Sequence, residues 1–285
     1  DKVKNGLSKL GSIAGTALKG ATVAIGSAAT ALTGLGVASV NSYADLEQNI
    51  GGIETLFKGS ADKVIKNAEN AYKTAGMSAN QYMQTVTSFS ASLLQSLGGD
   101  TEKAADTADM ALTDMSDNAN KMGTSMELIQ NAYQGFAKQN YTMLDNLKLG
   151  YGGTQEEMKR LLVDAEKLTG IKYDISNLND VFQAIHVIQG ELGITGTTAK
   201  EASETISGSI SSMKAAFDNF LNGSGTIDQL VSTGITSIQN IVNAAGELVP
   251  NLIQSIATAT PQIVEGINQI CLLYTSDAAD DLIGV

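Results

Sequence analysis

Ser78-Ala79-Asn80-Gln81-Tyr82-Met83-Gln84-Thr85-Val86-Thr87-Ser88-Phe89-Ser90-Ala91-Ser92-Leu93-Leu94-Gln95-Ser96-Leu97-Gly98-Gly99 carries the signals that decide the fold. Ser78, followed three residues later by Gln81, fits a capping box, in which each side chain satisfies a backbone donor near the other. Tyr82, Val86, Phe89, Leu93 and Leu97 then recur every three or four residues, which is one face of a helix. The Gly98-Gly99 pair stands where the end of a helix favours a left-handed residue.

The same grammar runs outward in both directions. Thr124 with Glu127, Thr154 with Glu157 and Thr198 with Glu201 repeat the capping box, and Gly76, Gly123, Gly170, Gly193 and Gly223 fall where helices should stop. Ala104, Ala108, Ala111, Met115, Ala119 and Met122 form a second apolar stripe, and Met126, Ile129, Tyr133 and Phe136 a third. Adaptable gap-filling on these stripes accounts for Met110, Met115, Met122 and Met126. No stretch alternates long enough to make a strand. The expected fold is all-α, an array of helical hairpins with long, partly extended amphipathic helices.

Composition points the same way and narrows the chemistry. The chain has 285 residues, no Trp, two Pro and 29 Gly. Its 18 basic residues against 30 acidic ones give a net charge of −12, and Arg160 is its one arginine. A phosphate-binding surface needs clustered Lys and Arg, so no specific nucleic-acid sequence is expected as a partner. With only Cys271 and His186 of their kinds, an internal disulfide, a Cys-cluster zinc site and a two-His metal motif are all excluded.

Four segments follow from texture. Residues 1–44 are basic at first and then Gly/Ala-rich, with no charge from Gly20 to Ala44. Within them Gly11 and Gly15 form a Gly-x-x-x-Gly pair, and Gly26, Thr30, Gly34 and Ala38 recur at every fourth place. Such spacing lets helices approach closely, so Gly11, Gly15, Gly26, Gly34 and Ala38 are candidates for packing against copies of the chain or within a membrane. Residues 45–222 hold the regular helical signals. Residues 223–270 are weakly charged and open amphipathic units at Pro250 and Pro261. Apolar helices of that kind need cover from partners, copies or lipid.

From Cys271 the texture breaks into Cys-Leu-Leu-Tyr-Thr-Ser-Asp-Ala-Ala-Asp-Asp, which resembles a translated sequencing-library adapter. Residues 271–285 are therefore expected to be non-native. Without Asp277, Asp280 and Asp281 the chain has 27 acids against 18 bases, a net of −9. Asp1 in place of an initiator Met reads as the interior of a longer protein.

Little of the remaining sequence proposes catalysis. Asp100, Glu102, Asp106, Asp109, Asp114 and Asp117 lie on an Ala-rich helical period and are expected on a solvated face rather than in a calcium loop. Gly150-Tyr151-Gly152-Gly153 lacks a Gly-Lys-Ser/Thr ending and reads as a flexible hairpin turn rather than an anion cradle. Glu156 and Glu157 point about 100° apart on a helix and belong to its cap and dipole. His186, within Val181-Phe182-Gln183-Ala184-Ile185-His186-Val187-Ile188, reads as a packed or interface residue with no nucleophile or orienting group near it in sequence. No catalytic, cofactor or metal residue is expected, and the chain is not expected to be an enzyme.

Whole phrases carry a family resemblance. They are Met77-Ser78-Ala79-Asn80-Gln81-Tyr82-Met83, the run Thr87 to Leu97, Met115-Ser116-Asp117-Asn118-Ala119-Asn120-Lys121-Met122-Gly123-Thr124, Asn131 to Tyr141, and Met143 to Thr154. Across residues 40–220 the sequence closely resembles the N-terminal conserved module of tail tape-measure proteins from phages and prophages of Gram-positive bacteria.

The resemblance implies a structural protein that lies in the tail lumen, sets the length of the tail tube and assists genome delivery. It implies as partners copies of itself, the tail-tube protein, tail-assembly chaperones, distal tail proteins and, on ejection, the host membrane. Before assembly it places the protein in the host cytoplasm. Two rival readings remain, a membrane-active pore-forming helical protein resting on residues 20–44, and the non-catalytic part of a larger tail-associated cell-wall hydrolase.

Overall fold

Helix formation follows the caps and stripes read from the sequence. The computed structural model describes residues 25–237, 239, 240 and 243, with 25–40 described by backbone alone. In chain order the helices are α1 (Ile25–Phe57), α2 (Ala61–Thr74), α3 (Ala79–Ser96), α4 (Thr101–Met122), α5 (Met126–Phe136), α6 (Gln155–Thr169), α7 (Leu178–Glu191), α8 (Thr197–Glu204) and α9 (Ile206–Asn222). Short 3-10 turns occupy Lys58–Ser60 and Leu144–Leu147, and helical backbone resumes over 227–237. There is no strand among the described residues, and the fold is all-α. The chain divides into two units, Asp1–Ser237 and Ile238–Val285, and the named helices belong to the first. The expectations for Gly11, Gly15, the units opened at Pro250 and Pro261, and residues 271–285 lie outside the described residues.

The caps reveal where local and long-range forces compete. At α3 both halves of the capping box form, with the Gln81 N–H donating to the Ser78 hydroxyl and the Ser78 N–H to Gln81 Oε1. At α5 the cap is Ser125, one residue later than expected, because Thr124 donates its hydroxyl to the Asn146 carbonyl at 3.0 Å. Thr154 caps α6 as expected, but the Glu157 carboxylate turns away to the Gly152 N–H, 3.0 Å off. The box at Thr198 and Glu201 does not form. Instead α8 begins after Gly196, and an acid from α4 takes its first donors.

The core gathers the predicted stripes. Tyr82, Val86, Phe89 and Leu93 of α3, Ala104, Ala108, Ala111 and Met115 of α4, and Ile129, Tyr133 and Phe136 of α5 are all buried. Phe89 and Phe182 meet edge to face at 5.4 Å between centroids, and Tyr133 lies 5.0 Å from Phe182. Such pairs add about 0.5–1.5 kcal/mol each beyond their burial. Alanines on α4 let neighbours come close, and this helix packs against α1, α2, α3, α5, α7 and α8. That central position decides what happens to its acids.

Candidate functional site

A helix with neighbours on most sides cannot keep a solvated acidic face. Only the N-terminal part of α4 does so. Asp100 caps the helix through the Lys103 N–H at 3.0 Å, and Asp106 pairs with Lys63 at 2.6 Å on the surface. Farther along, Asp109 is half-buried and accepts the Tyr82 hydroxyl at 2.6 Å. Asp114 and Asp117 are fully enclosed. The expectation of one solvated face therefore fails at these two residues, because α7 and α8 close over α4 there.

Each enclosed acid has a partner distant in sequence. Both Asp114 carboxylate oxygens lie on His186 Nδ1 of α7, at 2.9 and 3.0 Å. A carboxylate only accepts, so Nδ1 carries the proton. Burial pushes the Asp114 carboxyl above its ordinary range, against the pull of His186. The hydrogen bond to Asp114 holds His186 above its ordinary value, with burial opposing. One turn on, Asp117 accepts the Gly196 N–H at 2.6 Å and the Thr198 N–H at 2.8 Å. A carboxylate on the first free donors of a helix is favourable both as a hydrogen bond and toward the dipole.

Neutral groups continue this seam. Ser116 donates to the Ala75 carbonyl at 2.8 Å, and Asn118 Nδ2 donates to the Leu147 carbonyl at 2.9 Å. Gln189, fully buried, reaches the Tyr133 hydroxyl at 3.4 Å. Thr107 joins α4 to Asn179 of α7 at 2.8 Å. Together these bonds tie α4 to the α2–α3 junction, the 3-10 turn at Leu144–Leu147, α7 and the start of α8.

The Asp–His pair has the orienting half of an acid–base device, but a nucleophile within reach of the imidazole is also needed. No hydroxyl or thiol hydrogen-bonds His186 among the described residues. No group of three or more His, Cys, Asp or Glu able to hold a metal ion occurs among them either. What the seam does is fix helix positions and orientations.

The Gly150–Gly153 loop is also more ordered than a flexible turn. Arg160 stacks over the Tyr151 ring at 4.3 Å, donates to the Gly150 carbonyl at 2.7 Å and grips Glu157. Glu157 in turn accepts the Gly152 N–H, and Tyr151 donates to Asp164 at 3.1 Å. A carboxylate of the chain itself thus occupies the place an external anion would take. Burial and Asp164 push the Tyr151 phenol up to about 12.

A cavity of about 850 Å³ opens beside the seam, between α3, α4, α5, α8 and α9. Gln84, Ser88, Asn120, Gln130 and Gln134 contribute to its wall, and Gln130 donates to Thr85 at 3.0 Å across it. Its one ionisable wall residue is Glu201, which gives the cavity no attraction for an anion.

Of the packing residues proposed from sequence, Gly26, Gly34 and Ala38 lie within α1, whereas Gly11 and Gly15 are outside the described residues. No helix among the described residues is long and apolar enough to cross a membrane. Sequence reasoning missed Asp114 and Asp117 as anchors. Spacing along α4 carries no signal for them, since Asp117 lies about 20° around the helix from the exposed Asp106. No protein-family model, curated protein or solved structure matches this chain.

Proposed function

We propose that this chain is the conserved module of a phage tail tape-measure protein, a structural component that sets tail-tube length during virion assembly and assists genome delivery across the host envelope. The reading is carried by the phrases from Met77 to Thr154, whose whole-sentence resemblance to that module is more specific than a short motif. The use to which the folded chain puts those phrases is in keeping with a structural role. Asp117 and Asn118 of the third phrase anchor α8 and the Leu144–Leu147 turn, and Tyr151 of the last is clamped by Arg160. Polar groups here are engaged in holding helices.

In such a protein the length of helix determines the length of tube, at about 1.5 Å per residue. In-frame removal of codons 223–270 from the full-length phage gene should shorten tails by about 70 Å, measured by electron microscopy of purified virions. Tails of unchanged length would overturn the ruler role. Tail-tube and distal-tail genes on either side of the locus provide an independent check.

A further inference from the structure

The cleft of about 850 Å³ between α3, α4, α5, α8 and α9 differs from most ligand pockets of its size in what lines it. Pockets of about 300–1,000 Å³ are mostly apolar, with a few polar groups to orient the ligand. Here amides and hydroxyls predominate. Three helices each supply a pair four residues apart, Gln84 and Ser88 on α3, Gln130 and Gln134 on α5, and Ser207 and Ser211 on α9. Such pairs share a helix face and repeat at about 6 Å, so the cleft is bordered by rows of donors and acceptors rather than by isolated ones.

These groups are open to a ligand. In the neighbouring seam the polar side chains bond within the chain, as Ser116 does to Ala75 and Asn118 to Leu147. The side chains of Gln84, Asn120, Gln134, Glu201, Ser207 and Ser211 make no hydrogen bond among the described residues. The wall is nonetheless held in place. Thr198, which lines the cleft, has its N–H on Asp117, and this bond fixes the start of the helix that carries Glu201. Groups set in position before a ligand arrives cost less to order when it binds.

Charge and shape narrow the ligand. Among the described residues no Lys, Arg or aromatic side chain lines the cleft, so an anion finds no counter-charge and a flat ring no partner to stack on. A neutral, hydroxyl-rich molecule exchanges its water for these amides and hydroxyls, and its hydroxyls donate to the Glu201 carboxylate in charge-assisted bonds. Met77, Ala119 and Met126 add small apolar spots beside the amides. An acetamido group matches both features, its N–H and C=O meeting an Asn or Gln amide and its methyl an apolar spot. We propose that the cleft binds a short neutral oligosaccharide of N-acetylated amino sugars. Binding of this kind does not depend on tail length.

The test is titration of the full chain, followed by NMR, with three probes. They are triacetylchitotriose, cellotriose, in which hydroxyls replace the acetamido groups, and a short neutral peptide of Ser, Asn and Gly. Triacetylchitotriose should bind one to one with a dissociation constant of about 1 mM or tighter, and cellotriose about tenfold more weakly. Glu201→Gln and Gln134→Ala should each weaken binding about threefold or more, whereas Glu166→Gln, exposed on α6 and outside the cleft, should leave it unchanged. Ser211→Trp should fill the cleft and abolish binding, with thermal melts establishing that each variant is folded. Absence of saturable binding of triacetylchitotriose up to about 10 mM overturns the proposal. So does binding that Glu201→Gln, Gln134→Ala and Ser211→Trp do not alter, an equal affinity for cellotriose, or tighter binding of the peptide.

Discussion

His186 Nδ1 sits within 3.0 Å of both carboxylate oxygens of Asp114, a residue 72 positions away in the chain. The Asp114 side chain is 1% exposed and that of His186 37%, so the acid is sealed in while the base reaches solvent. The pair crosses from α4 to α7, and its protonation is coupled to stability.

Below the ordinary histidine value of about 6.5, folded and unfolded chains both hold the proton and the pair contributes fully. As pH rises from there through the raised folded value of His186, the folded chain retains a proton the unfolded chain has lost, and this contribution disappears. Asp114 acts in the same direction at lower pH, since its folded value is raised as well. The only histidine of the chain should therefore titrate above about 6.5 by NMR, and Asp114→Asn should bring it down. His186→Ala leaves a buried carboxylate without its cation and should destabilise by about 2–3 kcal/mol in urea titrations near pH 6. An unchanged midpoint in Asp114→Asn would contradict the coupling.

Asp117 holds the start of α8 through the Gly196 and Thr198 amides. Asp117→Ala leaves those donors unpaired and should lower stability by about 2–4 kcal/mol. Hydrogen exchange should accelerate first at Gly196 and Thr198. Uniform acceleration across the core would instead point to a general loss of packing.

Two glycines should respond oppositely to alanine. A Cβ on Gly208 meets the Glu201 backbone, so Gly208→Ala should force α8 and α9 apart, at about 1–3 kcal/mol. A Cβ on Gly51, within α1, meets nothing within 4 Å, and Gly51→Ala should stabilise by about 0.5–1 kcal/mol. Thermal melts of the two variants decide whether close approach of α8 and α9 is the reason for Gly208.

Arg160→Lys keeps the charge but loses the stack on Tyr151 and the planar grip on Glu157. Amide exchange should rise at Gly150 to Gly153 while the α4 core keeps its protection. An unaltered loop would mean that Thr154 and Glu157 suffice to hold it.

Much of the helical pattern was legible because its causes are local. Ser78 and Gln81 lie three residues apart, and the Tyr82 to Leu93 stripe needs only helical periodicity to share one face. Where a side chain had a choice of partners, reading from sequence slipped. Thr124 left its cap for the Asn146 carbonyl, and Glu157 left Thr154 for the Gly152 N–H.

Local signals suffice to make this protein helical and to place the starts of most of its helices, because caps and apolar periods act within a turn or two of backbone. The use of its polar residues depends on long-range packing. Asp106 and Asp114 belong to one helix, yet one stays in water beside Lys63 and the other is sealed against His186. Whether an acid is solvated depends on what packs over it, and for Asp114 and Asp117 that cover comes from chain 72 to 81 residues away. The same dependence leaves α9 with serines and asparagines inside and Phe217 outside, an arrangement that periodicity alone cannot orient.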